Sequence, residues 1–148
     1  MSFEQQRAGL FAGAVGTLAL SALEPLRDAW LGHEPPYAVR PLLTRGVRRL
    51  GGPRLSSRSA QRLGLALRWV YGPSLGLLYA AVRPRLPASA RLGGFTLGAG
   101  VGLFERIAFP LLRVTPAPRT WSRGEKILLG LQVLLFGVVT EAVLRRED

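Results

Sequence analysis

The chain has 148 residues, of which 48% are hydrophobic, and its formal net charge is +11. This length fits one domain, and strong basic charge combined with high apolar content is typical of a small membrane protein with basic loops. The chain contains no cysteine and one histidine, His33. Disulfides and cysteine nucleophiles are therefore excluded, and we expect no metal site and no cofactor.

The apolar stretches predict an all-α, polytopic membrane protein that forms a single integral membrane domain over residues 1–148. Four transmembrane helices are expected, because a bilayer core of about 30 Å needs roughly 20 apolar residues. Their predicted ranges are 5–23, 62–82, 92–114 and 124–144, with a basic loop over 24–61. The first stretch could alternatively be the apolar part of a signal peptide.

Capping boxes mark the start of two of these helices. Ser2-x-x-Gln5 precedes the first apolar stretch, and Ser122-x-x-Glu125 precedes the fourth. In such a box the two side chains satisfy backbone N–H groups at a helix start. The dipeptide Glu24-Pro25 is expected to end the first helix, since proline disrupts helix interiors.

The loop over residues 24–61 is rich in arginine and contains a predicted amphipathic helix at 41–50. Pro41 suits the first helical turn, and Gly51-Gly52-Pro53 is a stop signal. We expect anionic lipid headgroups, at the surface of the lipid bilayer, to be partners of this basic helix. The alternative is a solvated basic loop. The segment lacks interleaved aromatic residues and a nucleic-acid-binding motif, so no nucleic-acid partner is expected.

Glycines recur at four-residue spacing in three of the stretches, which places them on one helix face. Small residues on one face allow a second helix to approach closely in lipid. We expect helix packing at Gly9, Gly13, Gly72, Gly76, Gly94, Gly98 and Gly102. Two prolines, Pro73 and Pro110, lie within predicted helices and are expected to kink them.

Several ionisable residues fall within or beside the predicted helices. Charged groups in a membrane are costly and are functional candidates by default. The candidates are Glu24, Arg68, Glu105, Arg106 and Glu141. Two antiparallel helices could bring Glu105 or Glu141 near Arg68. Alternatively, the charges mark the two membrane interfaces, where arginine side chains can snorkel.

An ordered set of residues runs through the C-terminal half: Glu105, Pro110, Thr115-Pro-Ala-Pro118, Trp121, Glu125 and Glu141. The glycine-rich first stretch and residues 69–79 fit the same pattern. This pattern resembles the YagU-like family of small bacterial inner-membrane proteins. The chain departs from it at Leu131-Gln132-Val133, where relatives often carry a histidine, and in the long basic loop. The resemblance implies a helical protein of the bacterial cytoplasmic membrane and no established activity.

The loop charges predict the topology. The first and third loops share one side of a four-helix protein and hold most of the arginines. The positive-inside rule therefore places both termini outside the cytoplasm.

Two hypotheses for function follow from these features. The first is a non-enzymatic, helix-packing structural or accessory component of a membrane assembly, because glycine faces occur on three helices and no nucleophile–base set is present. It implies a homo-oligomer or a partner within a membrane complex. The alternative is a small oligomeric transporter or a proton- or ion-handling protein that uses intramembrane Glu and Arg residues. An enzyme acting on lipid substrates is a weaker third reading.

Overall fold

The computed structural model describes residues 1–147, and it is helical with no strand over that range. The prediction of an all-α fold is confirmed. The five α-helices are α1 (Phe3–Leu31), α2 (Val39–Arg49), α3 (Ser57–Val82), α4 (Phe95–Leu111) and α5 (Arg123–Glu147). Short 3-10 segments lie at Arg83–Arg85, Ala88–Gly94 and Pro118–Thr120.

Three helices are long and apolar enough to cross a membrane: α1, α3 with the turn that follows it, and α5. In the most apolar 18-residue window of each helix, only 28%, 17% and 44% of the residues, respectively, are buried within the protein. The side chains of Leu18, Leu78 and Leu131, for example, are each more than half exposed. A soluble domain would bury far more of such helices, so these outer faces suit contact with lipid.

The prediction of one continuous helix over 92–114 is wrong. Helix α4 has 17 residues, about 26 Å at the α-helical rise, which is less than the bilayer core of roughly 30 Å. Gly93 and Gly94 have φ values of 56° and 82°. These left-handed conformations separate the preceding 3-10 segment from α4. At the other end, Pro110 lies in the last turn, and Arg113 has a φ of 55°.

The prediction that the first helix ends at residue 23 is also wrong. Helix α1 continues through Pro25 to Leu31, and Gly32 caps it in the left-handed conformation. Proline removes one backbone hydrogen bond of the helix. Within the additional turns, the side chain of Arg27 is buried and contacts Gln132 of α5. The short helix predicted at 41–50 is present as α2, at Val39–Arg49.

The long helices pack in the order α3–α1–α5–α4, and α2 lies against α3. Neighbouring helices are antiparallel, as shown by contacts of Gly9 with Gly76 and of Gly16 with Thr140. One end of the bundle therefore holds residues 2 and 147, and we call it the termini end. The opposite end, the α2 end, holds α2 and the connection over residues 112–122.

Candidate functional site

A cavity of about 530 Å³ lies among the five helices. Most of its wall is apolar and includes Leu75, Val101 and Phe136. A few polar side chains also line it: Arg27, Tyr37, Arg68, Tyr71, Glu105 and Gln132. Ligand sites usually combine apolar walls with a few polar groups in volumes of roughly 300–1,000 Å³. This cavity is therefore the candidate functional site.

Arg68, which lines the cavity, forms an ion pair that joins α3 to α1. The Nη1 atom of Arg68 lies 2.5 Å from Oε2 of Glu24, and the two side chains are 15% and 19% exposed. The second carboxylate oxygen of Glu24 lies 3.5 Å from Nη1 of Arg27. Glu24 thus neutralises two arginines, and Arg68 lies inside the bundle beside a carboxylate.

Arg27 contacts α1, α5 and the loop that follows α1, and it was not among the site residues predicted from the sequence. Its guanidinium lies 2.7 Å from Oδ1 of Asp28 and donates to Oε1 of Gln132 at 3.5 Å. It also lies 5.8 Å from the ring centroid of Tyr37, close enough for a cation–π contact. Arg27 was missed because it belongs to α1 only when the helix continues past Pro25.

Glu105 lies on the opposite side of the same cavity, on α4. It accepts a hydrogen bond from the hydroxyl of Tyr71, with 3.3 Å between Oη and Oε1. This bond crosses from α3 to α4. Glu105 and Arg68 share the cavity, but each has a different direct partner. Glu105 therefore shares a cavity with Arg68, as expected, but its hydrogen bond is with Tyr71.

Arg106, next to Glu105, does not line the cavity. Its side chain is exposed, and Nη2 donates to the backbone carbonyl of Lys126 at 2.9 Å. Adjacent residues on a helix point in different directions, which separates the two charges.

Glu141 belongs to a second charged cluster at the termini end, so the expectation that it could lie near Arg68 is wrong. Its carboxylate is 1% exposed. It accepts hydrogen bonds from Tyr79 Oη at 2.8 Å, Arg83 Nε at 3.0 Å and Arg145 Nε at 2.9 Å. Three donors around one carboxylate offset the cost of its burial.

The selected glycines lie at two helix contacts within the chain. Between α1 and α3, a Cβ atom on Gly13 would lie 2.5 Å from the carbonyl oxygen of Gly72, and Gly9 faces Gly76. Between α4 and α5, a Cβ on Gly98 would lie 2.6 Å from the carbonyl oxygen of Val133. Further along this contact, Gly94 meets the backbone of Gly137, and Gly102 meets the side chain of Val133. These faces are occupied by the chain's own helices.

The two prolines have different positions. Pro73 lies within α3, where its Cα faces Gly13 of α1. Pro110 lies in the last turn of α4. The predicted kink at Pro110 is therefore wrong, because the helix ends there.

A polar contact closes the bundle at the α2 end. His33 Nε2 lies 3.0 Å from Oε1 of Glu125, and the hydroxyl of Tyr37 donates to the backbone carbonyl of Glu125 at 2.8 Å. The hydrogen bond with Glu125 raises the pKa of His33 above its usual 6.5. Burial raises the pKa of Tyr37 to about 12, so this hydroxyl remains a donor at neutral pH.

Within residues 1–147, no group of three or more His, Asp or Glu side chains is arranged to hold a metal ion. No family model, curated protein or solved structure matches the chain.

Proposed function

We propose that the chain is a non-enzymatic, multi-pass membrane protein that takes up and releases protons or small ions through the charged cavity. The observation that carries this proposal is the position of Glu24, Arg68 and Glu105. Arg68 and Glu105 line one cavity inside a bundle whose outer faces are apolar, and Glu24 is the ion-pair partner of Arg68. Ionisable residues that face the interior of a membrane bundle commonly form ion or proton pathways.

The contacts of these residues support different roles. Arg27 and Arg68 keep their positive charge, because guanidinium groups do not deprotonate in proteins, and Glu24 is their shared partner. Glu105 has a tyrosine hydroxyl as its partner among the described residues. We assign proton exchange to Glu105 and fixed local charge to the Arg68–Glu24 pair.

We further propose that the chain crosses the membrane four times. The third crossing would combine α4 with the 3-10 segment before it, Ala88–Gly94. Gly94 packs on Gly137, and Arg106 bonds to Lys126, so this stretch follows α5 from its middle towards its start. Backbone outside an α-helix is tolerated at membrane depth when protein covers it, and Gly94 is buried.

Four crossings place the termini end on one side of the membrane and the arginine-rich α2 end on the other. The positive-inside rule makes the α2 end cytoplasmic. Anionic headgroups of that leaflet would contact the exposed arginines of the first loop, including Arg48 and Arg49. The resemblance to the YagU-like family supports the bacterial inner membrane as the location.

Reconstitution into liposomes tests proton handling. We expect a pH gradient across liposomes containing the native protein to decay faster than across empty ones. Glu105→Gln should slow this decay about tenfold, because it removes the exchanging carboxyl group. Glu4→Gln, at an exposed site outside the cavity, is the matched control and should leave the decay unchanged. Equal decay with native protein and with Glu105→Gln would contradict the assignment.

The outer face of α4 favours a second candidate function, a structural or accessory role in a membrane assembly. A Cβ on Gly100 would meet no atom within 4 Å, while the adjacent side chains of Leu103 and Phe104 are 62% and 53% exposed. A small residue beside large apolar ones leaves room for another helix. Helix α4 is also shorter than a bilayer core, so a companion helix could cover its ends.

Native mass spectrometry of gently extracted protein tests this second role. It predicts a homo-oligomer or a stoichiometric partner that is lost in Gly100→Leu. Ala66→Leu, at an exposed position of α3, is the control and should keep the assembly. A monomeric native protein would exclude this candidate.

A further inference from the structure

The cavity has an open side between α3 and α4. These helices lie at the two ends of the helix row and make at most marginal contact with each other. Leu67 and Val70 line the cavity, yet their side chains are 53% and 64% exposed. They therefore lie at its rim, where the cavity meets the apolar outer surface. An opening in this position faces the lipid of a surrounding bilayer.

A hydrogen bond spans this opening. Tyr71 on one rim donates to Glu105 on the other, at 3.3 Å. Among the described residues, this is the one hydrogen bond between α3 and α4. A single hydrogen bond of this length is weak, so it can open without disturbing the α1–α3 or α4–α5 contacts.

The hydrogen-bond donors of Arg68 favour a ligand whose head group is an acceptor. The charged residues that line the cavity are Arg27, Arg68 and Glu105, and Glu24 neutralises part of the arginine charge. Nη1 of Arg68 forms an ion pair with Glu24, and within residues 1–147 the guanidinium donates no hydrogen bond of ordinary geometry. A guanidinium has five N–H donors, and buried donors are normally satisfied. An acceptor brought by a ligand would supply what Arg68 lacks.

We propose that the cavity binds a single-chain amphiphile with a carboxylate head, which enters sideways from the bilayer between α3 and α4. The carboxylate accepts hydrogen bonds from Arg68, and the chain lies along Leu75, Val101 and Phe136. A small inorganic anion would leave the apolar wall unused, and a neutral head group would be a weaker acceptor for Arg68 than a carboxylate is. This inference goes beyond proton handling, since binding needs the cavity and Arg68 but no proton flux.

Binding of oleate to the full chain in neutral phosphatidylcholine nanodiscs tests the proposal. We expect one oleate per chain. Oleyl alcohol has the same chain without the charge, and it should bind about tenfold more weakly, because charge-assisted hydrogen bonds are the stronger ones. Arg68→Gln should weaken oleate binding by a similar factor. Arg62→Gln, at an exposed position of the same helix, is the control and should have no effect.

A second variant separates loss of binding from misfolding. Leu75→Trp fills the cavity without changing a charge, and it should reduce oleate binding while the helical circular-dichroism signal is retained. Equal binding of oleate and oleyl alcohol, undiminished binding to Leu75→Trp, or equal losses in Arg62→Gln and Arg68→Gln would each overturn the proposal. Oleate binding in nanodiscs and proton flux in liposomes are separate measurements on the native protein, so failure of one proposal is distinguishable from failure of the other.

Discussion

At the scale of single residues, the contact between Gly13 and Gly72 sets how closely α1 and α3 approach. Gly13→Ala should lower the free energy of unfolding by about 1–3 kcal/mol, the usual cost of overpacking, because the new Cβ would lie 2.5 Å from the Gly72 carbonyl oxygen. Gly100→Ala is the control, since open space surrounds that position. Denaturant unfolding in detergent measures both variants. Equal stability of the two would show that the close contact is absent.

Glu141 is the residue whose loss should cost most stability outside the cavity. Glu141→Gln should lower the free energy of unfolding by about 1.5–3 kcal/mol, the usual contribution of a hydrogen bond to a charged group, because its buried carboxylate accepts such bonds from Arg83 and Arg145. Arg83, one of its partners, is itself 9% exposed. Glu147→Gln, at an exposed site of the same helix, should change little. Unfolding of both variants in detergent is the measurement, and a similar small change in both would contradict the arrangement around Glu141.

The charged residues of the site could be predicted from the sequence, but their contacts could not. Charges within apolar stretches could be recognised from the sequence, which is why Glu24, Arg68 and Glu105 were selected. Their partners could not, because pairing depends on which helices are adjacent. Arg106 is an arginine like Arg68 and lies next to Glu105, yet its side chain is exposed and donates to the backbone carbonyl of Lys126.

At the scale of elements, His33 links the end of α1 to the start of α5. Its pKa is raised in the folded state, so folding favours the protonated form. The contribution to stability is complete below about pH 6.5 and is lost as the pH rises through the folded-state pKa. We expect thermal stability in detergent to fall as the pH rises above about 6.5. His33→Gln should remove this part of the pH dependence, and an unchanged profile in the variant would contradict the contact with Glu125.

Local signals determined how well the element boundaries could be predicted. Both capping boxes are present as expected, with hydrogen bonds between Ser2 and Gln5 and between Ser122 and Glu125. Such bonds involve residues three apart, so sequence suffices. The continuation of α1 past Pro25 could not be predicted, because its contacts with α5, such as that of Arg27 with Gln132, are distant in sequence. The short α4 depends on the positive φ values of Gly93 and Gly94, which glycine permits but does not require.

At the scale of the whole molecule, composition and hydropathy were enough to predict an all-helical, membrane-type protein. The packing order α3–α1–α5–α4 could not be read from them. Glycine faces identify helices that approach closely, and they do not identify the partner. The cavity is a consequence of that order, since α3 and α4 are separated by the other two long helices.

The most direct test of a membrane bundle around this cavity is its topology. The chain has no cysteine, so single cysteines at exposed sites can be labelled selectively with a membrane-impermeant maleimide. We expect Ser89→Cys and Arg146→Cys to react in intact cells, and Ser57→Cys and Thr120→Cys to react only after permeabilisation. Labelling of Ser89→Cys and Thr120→Cys from the same side would contradict a crossing by α4 and, with it, a cavity enclosed by four membrane helices.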